Sequence, residues 1–175
     1  LGWKDRFSAD TFTKRQEQYG RRFHTESVDT PQVVVNGEVE FVGIDEARAR
    51  KEIAKAAVRQ AGQVELKAQG NAVAIRAQSL PAEAAGSEVI LAVTETNLDT
   101  DVRRGENSGH KLRHTGVART FLVVGRAEAA AGGAGFTGTV PLFVDPEWKR
   151  ENLKVVVFVQ DRTSRRIWTV GTVRL

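Results

Sequence analysis

Cysteine and methionine are both absent from this 175-residue sequence, and tyrosine occurs once. Without cysteine, these residues can form no disulfide, bind no metal through thiolate and perform no thiol chemistry of their own. Without methionine, and with Leu1 in first place, the sequence does not read as a primary translation product with its initiator in place. No apolar run approaches the ~20 residues that a membrane-spanning helix needs. No signal peptide is visible in these residues either. Charge of one sign is also scarce in excess: 26 basic and 22 acidic side chains leave a net +4. The basic pairs Arg21-Arg22, Arg103-Arg104, Lys149-Arg150 and Arg165-Arg166 are scattered, with few aromatics beside them. They read as solvated surface rather than as a nucleic-acid interface. A dinucleotide-binding glycine fingerprint, a phosphate-binding Gly-Lys-Ser/Thr loop and a serine nucleophile elbow are all missing.

What remains is an ordinary globular composition, 41% apolar and 27% charged, long enough for one large or two small domains with a real core. The first third carries helical spacing around a short β signal. Phe12, Gln16, Tyr19 and Phe23 fall at intervals of four, three and four, which puts them on one helical face. Ser8 or Asp10 is the expected N-cap. A second helix is expected after Asp45, a cap residue, with Glu46 in its first turn and Ala49, Ile53, Ala56 and Ala57 as its buried stripe. Glu46 and Arg50 form an i,i+4 pair, and Gly62 fits the residue just past the helix end.

Between the helices lies the stretch that organises this part, Asp29-Thr30-Pro31-Gln32-Val33-Val34-Val35-Asn36-Gly37. Asn-Gly between two apolar runs is a strong hairpin signal, because both residues tolerate the positive φ of a type I′ turn. Pro31 has no N–H to donate, so it belongs at the first position of the strand.

After Gly62 the helical period disappears, and the sequence divides there into residues 1–62 and 63–175. Val64, Leu66 and Ala68 alternate with polar residues, and Val73, Ile75 and Ala77 continue the period of two. Further β-rich runs cover 87–97, 117–124, 136–143, 153–160 and 167–173. About seven strands with turn signals between them and no helical pattern predict an antiparallel β-sandwich of the immunoglobulin-like kind. Both faces of the run 155–158 are apolar, so that strand is expected to be central. Asp145-Pro146-Glu147-Trp148 is the expected crossover, with Trp148 under a sheet edge. The stretch 127–135 reads as an Ala/Gly-rich loop. Arg162, Arg165 and Arg166 read as protection of a sheet edge.

Two groups of residues invite a chemical reading. Glu106, His110 and His114 are spaced by four, but Gly105, Ser108, Gly109 and Gly116 oppose a helix there. On a strand, positions four apart are ~13 Å from each other, so no metal site is assigned. The segment Arg104-Gly105-Glu106-Asn107-Ser108-Gly109-His110 leads into a strong strand. It reads either as a binding loop built on Arg104, Glu106, Asn107 and His110, or as a hairpin tip whose Glu106 and Asn107 satisfy their own backbone. The second group, Trp3, Asp5, Thr30 and Pro31, gains its reading from a resemblance to thioredoxin-like folds, in which the segment before the helix and the proline loop lie side by side. The resemblance implies that Trp3 and Asp5 line a site beside Pro31, the alternative being that Trp3 simply packs.

The order helix, Thr30-Pro31, Asn-Gly hairpin, helix resembles the second half of a thioredoxin-like domain. In that fold the Thr-Pro peptide is typically cis and faces the redox cysteines. Four segments, Leu-Gly-Trp-Lys-Asp at 1–5, Thr-Pro-Gln-Val-Val-Val-Asn-Gly at 30–37, Val42-Gly43 and Arg-Gly-Glu-Asn-Ser-Gly at 104–109, resemble in the same order a bacterial family catalogued as domain of unknown function 1223. The resemblance implies a secreted or periplasmic protein with a thioredoxin-like domain followed by a β-sandwich. It implies a first strand and a Cys-x-x-Cys upstream of Leu1, where a helix N-terminus makes a cysteine nucleophilic. Without that half, residues 33–35 would keep an exposed strand edge, for preceding sequence or another chain to cover.

The resulting expectation is an α+β chain, the C-terminal part of a thioredoxin-like domain followed by a sandwich. Its function is thiol-disulfide related if an upstream Cys-x-x-Cys exists, with substrate contacts at Trp3, Asp5, Thr30 and Pro31 and no catalytic cysteine in this chain. The alternative is a non-catalytic binding or assembly module acting through the sandwich. No cofactor is expected. The partner is expected to be a protein or peptide, or a second copy paired through the sheet edge.

Overall fold

The computed structural model describes residues 6–25, 31–59, 61–102 and 108–175. Among these described residues two α-helices and twelve strands follow one another, and every strand pair is antiparallel. Helix α1 (Asp10–Phe23) leads to strand β1 (Gln32–Val35) and strand β2 (Val39–Val42), then to helix α2 (Glu46–Ala57). Ten strands follow: β3 (Gln63–Gln69), β4 (Ala72–Leu80), β5 (Glu88–Glu95), β6 (Leu98–Asp101), β7 (Lys111–His114), β8 (Val117–Arg126), β9 (Glu128–Ala130), β10 (Gly133–Pro141), β11 (Leu153–Gln160) and β12 (Ile167–Arg174).

Three strands after α2, β6, β7 and β9, go beyond the expected seven, and all three are short. Strand β6 reads Leu-Asp-Thr-Asp and carries no apolar alternation. Strand β9 lies in the Ala/Gly-rich stretch expected to be a loop. They are held by pairing to a neighbour, β6 with β7 and β9 with β10.

Two four-stranded sheets, β3-β4-β10-β9 and β12-β11-β5-β8, face each other. Their inward side chains make one core: Val73, Ile75 and Leu80 from the first sheet, and Val89, Leu91, Val93, Val155, Val157 and Val159 from the second. Strand β11 is central, as its doubly apolar run predicts, between β12 and β5. The two sheets meet closely along one side. A Cβ on Gly171 of β12 would stand 2.5 Å from the Val64 carbonyl of β3. The link between β10 and β11 turns at Asp145, whose Oδ1 accepts from the Glu147 N–H at 2.9 Å, and Trp148 packs against the core as expected.

The second sheet is buried on its other face too. Ile90, Ala92, Phe158 and Gln160 point away from the shared core yet are almost inaccessible. Helix α1 covers part of this outer face. Phe12 meets Phe121 edge-on at 6.4 Å, and Tyr19 is buried on Gln160. The aromatic stripe read from the sequence is therefore a packing face. Its helix begins differently from expectation: the N-cap is Ala9, with no side-chain cap, and Asp10 lies in the first turn. There Asp10 still favours the helix through its charge at the positive end of the helix dipole.

The β1–β2 hairpin turns at Asn36 and Gly37, with φ of 50° and 70°, and the Glu38 N–H closes it on the Val35 carbonyl at 3.0 Å. Pro31 precedes β1, and its carbonyl accepts from the Gly43 N–H at 2.7 Å. The hairpin tip docks on the β11–β12 turn. Ile167 N–H donates to Asn36 O at 2.8 Å, and Gly37 lies so close to the Arg165 carbonyl that no Cβ fits. Helix α2 is capped by Asp45 as expected, its Oδ1 accepting from Arg48 N–H at 2.9 Å. The Glu46–Arg50 pair forms at 2.6 Å. The expected buried stripe does not: no α2 residue is fully buried, and Ile53 is 56% exposed. The helix also ends earlier than Gly62, at Ala57 with Val58 as C-cap. Gly62, at φ 89°, instead enters β3, and its carbonyl accepts from the Thr169 hydroxyl at 3.2 Å.

Candidate functional site

The segment 161–166 decides the shape of the most distinctive surface feature. Asp161 Oδ1 accepts from Thr163 N–H (3.0 Å), Ser164 N–H (2.6 Å) and the Ser164 hydroxyl (2.8 Å). This is the side-chain-closed turn that aspartate favours. Burial works to raise the Asp161 carboxyl, but the Ser164 and Thr163 hydrogen bonds outweigh it and hold the group below its ordinary value. The turn ends at Arg165 in a left-handed conformation, φ 61°. There the Arg165 carbonyl accepts from Gln160 Nε2 at 2.6 Å.

Gln160 is the hub. It is fully buried at the end of β11. Its Nε2 also donates to the Tyr19 hydroxyl at 2.9 Å, and its Oε1 accepts from Arg15 Nη1 at 3.0 Å. Arg15 Nη2 donates to the same Tyr19 hydroxyl at 2.8 Å. The Arg15 guanidinium also stacks over Phe121 (4.7 Å), Tyr19 (5.0 Å) and Phe158 (5.5 Å). Burial is the largest influence on it and weakens its hold on its proton. Tyr19 opposes that shift and Arg165 adds to it.

Beside this hub, α1 and the 161–166 turn leave an open cleft of about 650 Å³ above the outer face of the second sheet. Lys14 and Arg15 come from α1, Glu88 and Ile90 from β5, Phe121 and Val123 from β8, and Arg162 and Arg165 from the turn. Its walls are cationic and its floor is apolar. A neighbouring hollow continues the cationic surface to Arg21 and Arg22, and Arg22 Nε donates to Ser164 O at 2.8 Å.

Of the residues singled out in the sequence, Trp3, Asp5, Thr30, Arg104, Glu106 and Asn107 lie outside the described residues. Pro31 is exposed at the open end of the β1–β2 hairpin. His110 is exposed beside the β6–β7 hairpin, where its carbonyl accepts from Val102 N–H at 3.0 Å. His114 meets the Phe7 ring edge-on at 5.1 Å, and Arg6 donates to Asp99 O at 3.4 Å. The β6–β7 hairpin therefore leans on the segment that enters α1. Among the described residues, no group of three or more His, Asp or Glu side chains could hold a metal.

Of the cleft residues, Arg162 and Arg165 were read otherwise in the sequence, as edge protection. One signal was legible. Gln160 closes the run Val155-Val156-Val157-Phe158-Val159, and a polar residue continuing a doubly apolar strand needs buried partners.

Residues 1–160 match the family described as "Protein of unknown function (DUF1223)". The chain belongs to that family. No curated protein matches it. Two solved structures resemble this DUF1223 chain. Protein AGR_C_4864 from Agrobacterium tumefaciens is 21% identical with a TM-score of 0.76, over 99% of this chain and 74% of that one. HBP35 of Porphyromonas gingivalis is 18% identical with a TM-score of 0.62, over 99% of this chain and 61% of that one. At these identities the likeness is one of fold, and the DUF1223 chain spans about three quarters and three fifths of the two relatives.

Proposed function

We propose that this DUF1223 chain is part of a periplasmic or secreted protein of thioredoxin-like kind, and that the segment from α1 to α2 presents a partner polypeptide. The observation that carries this reading is the Pro31-headed strand β1. Among the described residues it pairs only with β2, so its other edge offers backbone donors and acceptors to an extended chain. Helix α1 lies over Gln32 and Val34 on one side, and α2 brings Ile53, Ala56 and Ala57 toward Val33 and Val35 on the other. A second copy could use the same edge.

These 175 residues hold no cysteine, so thiol-disulfide chemistry at Pro31 requires cysteines supplied from outside them. The test is the intact mass of the protein from its native host, reduced and then alkylated. A mass above 19.2 kDa that gains two or more alkyl groups supports the thiol-disulfide reading. A mass matching residues 1–175 with no alkylation refutes it.

A second reading, a non-catalytic binding module acting through an immunoglobulin-like sandwich, is favoured by the Arg15 cleft. That cleft lies on the sandwich's own outer face, with four of its lining side chains from β5 and β8. Titrating the isotope-labelled protein with small ligands tests it. Amide shifts confined to β5, β8 and 161–166 support it, and shifts confined to β1 and α2 count against it.

A further inference from the structure

The Arg15 cleft holds more positive charge than the described residues neutralise. Lys14, Arg15, Arg162 and Arg165 face a single carboxylate, Glu88. Glu88 Oε1 lies 3.8 Å from Arg162 Nε, the edge of ion-pair distance. Arg15 gives its hydrogen bonds to neutral acceptors only, Gln160 and Tyr19. A guanidinium carries five N–H groups, so Arg15 retains three for another partner.

Arg165 stands over the same Tyr19 ring, 5.7 Å from its centroid. Its Nε is buried without a hydrogen-bond partner among the described residues. Two guanidinium groups thus share one aromatic ring, and neither donates a hydrogen bond to a carboxylate among the described residues. Burying charge without a counter-charge is costly, and so is an unsatisfied buried donor. An oxyanion held by the two guanidinium groups would supply the missing counter-charge, because the guanidinium fork matches carboxylate and phosphate oxygens two at a time.

The floor adds a second requirement. Phe121 and Val123, the latter 54% exposed, present apolar surface to the same space. A bare inorganic anion would leave that surface wet. The volume lies in the range of small-molecule sites, roughly 300–1,000 Å³. We infer that the cleft binds a small organic oxyanion, a carboxylate or phosphate carried on an apolar body, with the head between Arg15 and Arg165 and the body on Phe121. This rests on the second reading above, that the sandwich face is a binding site.

The test is calorimetric titration of the full chain with 2-naphthoate, 2-naphthyl phosphate, neutral 2-naphthamide and inorganic phosphate. Both naphthyl anions are expected to bind roughly tenfold or more tighter than the amide, since charge-assisted hydrogen bonds separate them. Their affinity falls as salt is raised, and inorganic phosphate binds more weakly than naphthyl phosphate. The stronger of the two naphthyl anions identifies the head group. Arg162→Ala, at the exposed rim, and Arg165→Met each weaken naphthoate binding, while Arg174→Ala, outside the cleft, does not. Circular dichroism confirms that each variant is folded. Equal affinity for naphthoate and naphthamide overturns the anion assignment and leaves the cleft as a binding site. Unchanged affinity in both folded arginine variants, or no binding of any probe, overturns the anion assignment and the cleft together.

Discussion

Replacing Gln160 with leucine tests whether the buried polar hub holds α1 to the sandwich. The two side chains have similar volume, so the change removes hydrogen bonds more than packing. Three are lost: to the Tyr19 hydroxyl, to the Arg165 carbonyl and from Arg15. A neutral bond contributes about 1 kcal/mol net, and one to a charged group about 1.5–3 kcal/mol. The three together therefore sum to roughly 3.5–5 kcal/mol, which apolar burial of the leucine offsets by about 1 kcal/mol. A loss of about 2.5–4 kcal/mol in a chain this size lowers Tm by roughly 5–16 °C. Urea denaturation of wild type and Gln160→Leu measures the free energy, and circular dichroism gives the melting point. The cycle with Tyr19→Phe adds a sharper check, with an expected coupling of about 0.5–3 kcal/mol for two side chains in direct contact. A destabilisation below about 1 kcal/mol, or zero coupling to Tyr19, would refute the hub.

Three other outcomes are expected. Gly37→Ala should destabilise by about 2 kcal/mol or more, because the Cβ meets the Arg165 carbonyl at a positive φ, whereas Gly70→Ala, at φ 58° in open space, should cost only about 1 kcal/mol; chemical denaturation of the pair compares them. Arg119→Leu should cost about 3–5 kcal/mol, since it leaves the buried Glu95 carboxylate without the guanidinium 3.4 Å away, and a melting curve close to wild type would count against that pairing. For Asp161, the folded-state pKa lies below the ordinary value, so its stabilisation is present above the unfolded aspartate pKa of about 3.9 and is lost as pH falls through the folded value. Wild type should exceed Asp161→Asn in stability at pH 7, and the gap should close below pH ~4; a pH-independent gap would sink the assignment.

The hairpin at 31–42 was legible because its signals are local. Asn36 and Gly37 accept positive φ wherever they stand, and Pro31 can only begin the strand. Strand β11 and the Asp45 cap were readable for the same reason. The buried stripe of α2 was not, because amphipathic spacing says which residues share a face and nothing about what covers it. Ile53 has the right spacing and is mostly exposed. The strands β6 and β9 likewise carry no apolar alternation to read and are held by pairing to the next strand, β7 and β10.

The cleft shows the same division more sharply. Local sequence determined the parts: an aromatic-faced helix carrying Lys14 and Arg15, an aspartate-closed turn carrying Arg162 and Arg165, and a glutamine ending an apolar strand. Absence of cysteine determined that these residues perform no thiol chemistry alone. Only the tertiary structure placed Arg15 on Gln160, 145 positions away, and set Arg165 over Tyr19. The physical reason is that charge and hydrogen-bonding capacity belong to each residue, whereas the burial that gives them energetic consequence belongs to the packed surfaces around them. Scattered arginines on a sequence read as solvated surface; only the packed structure sets two of them over one ring.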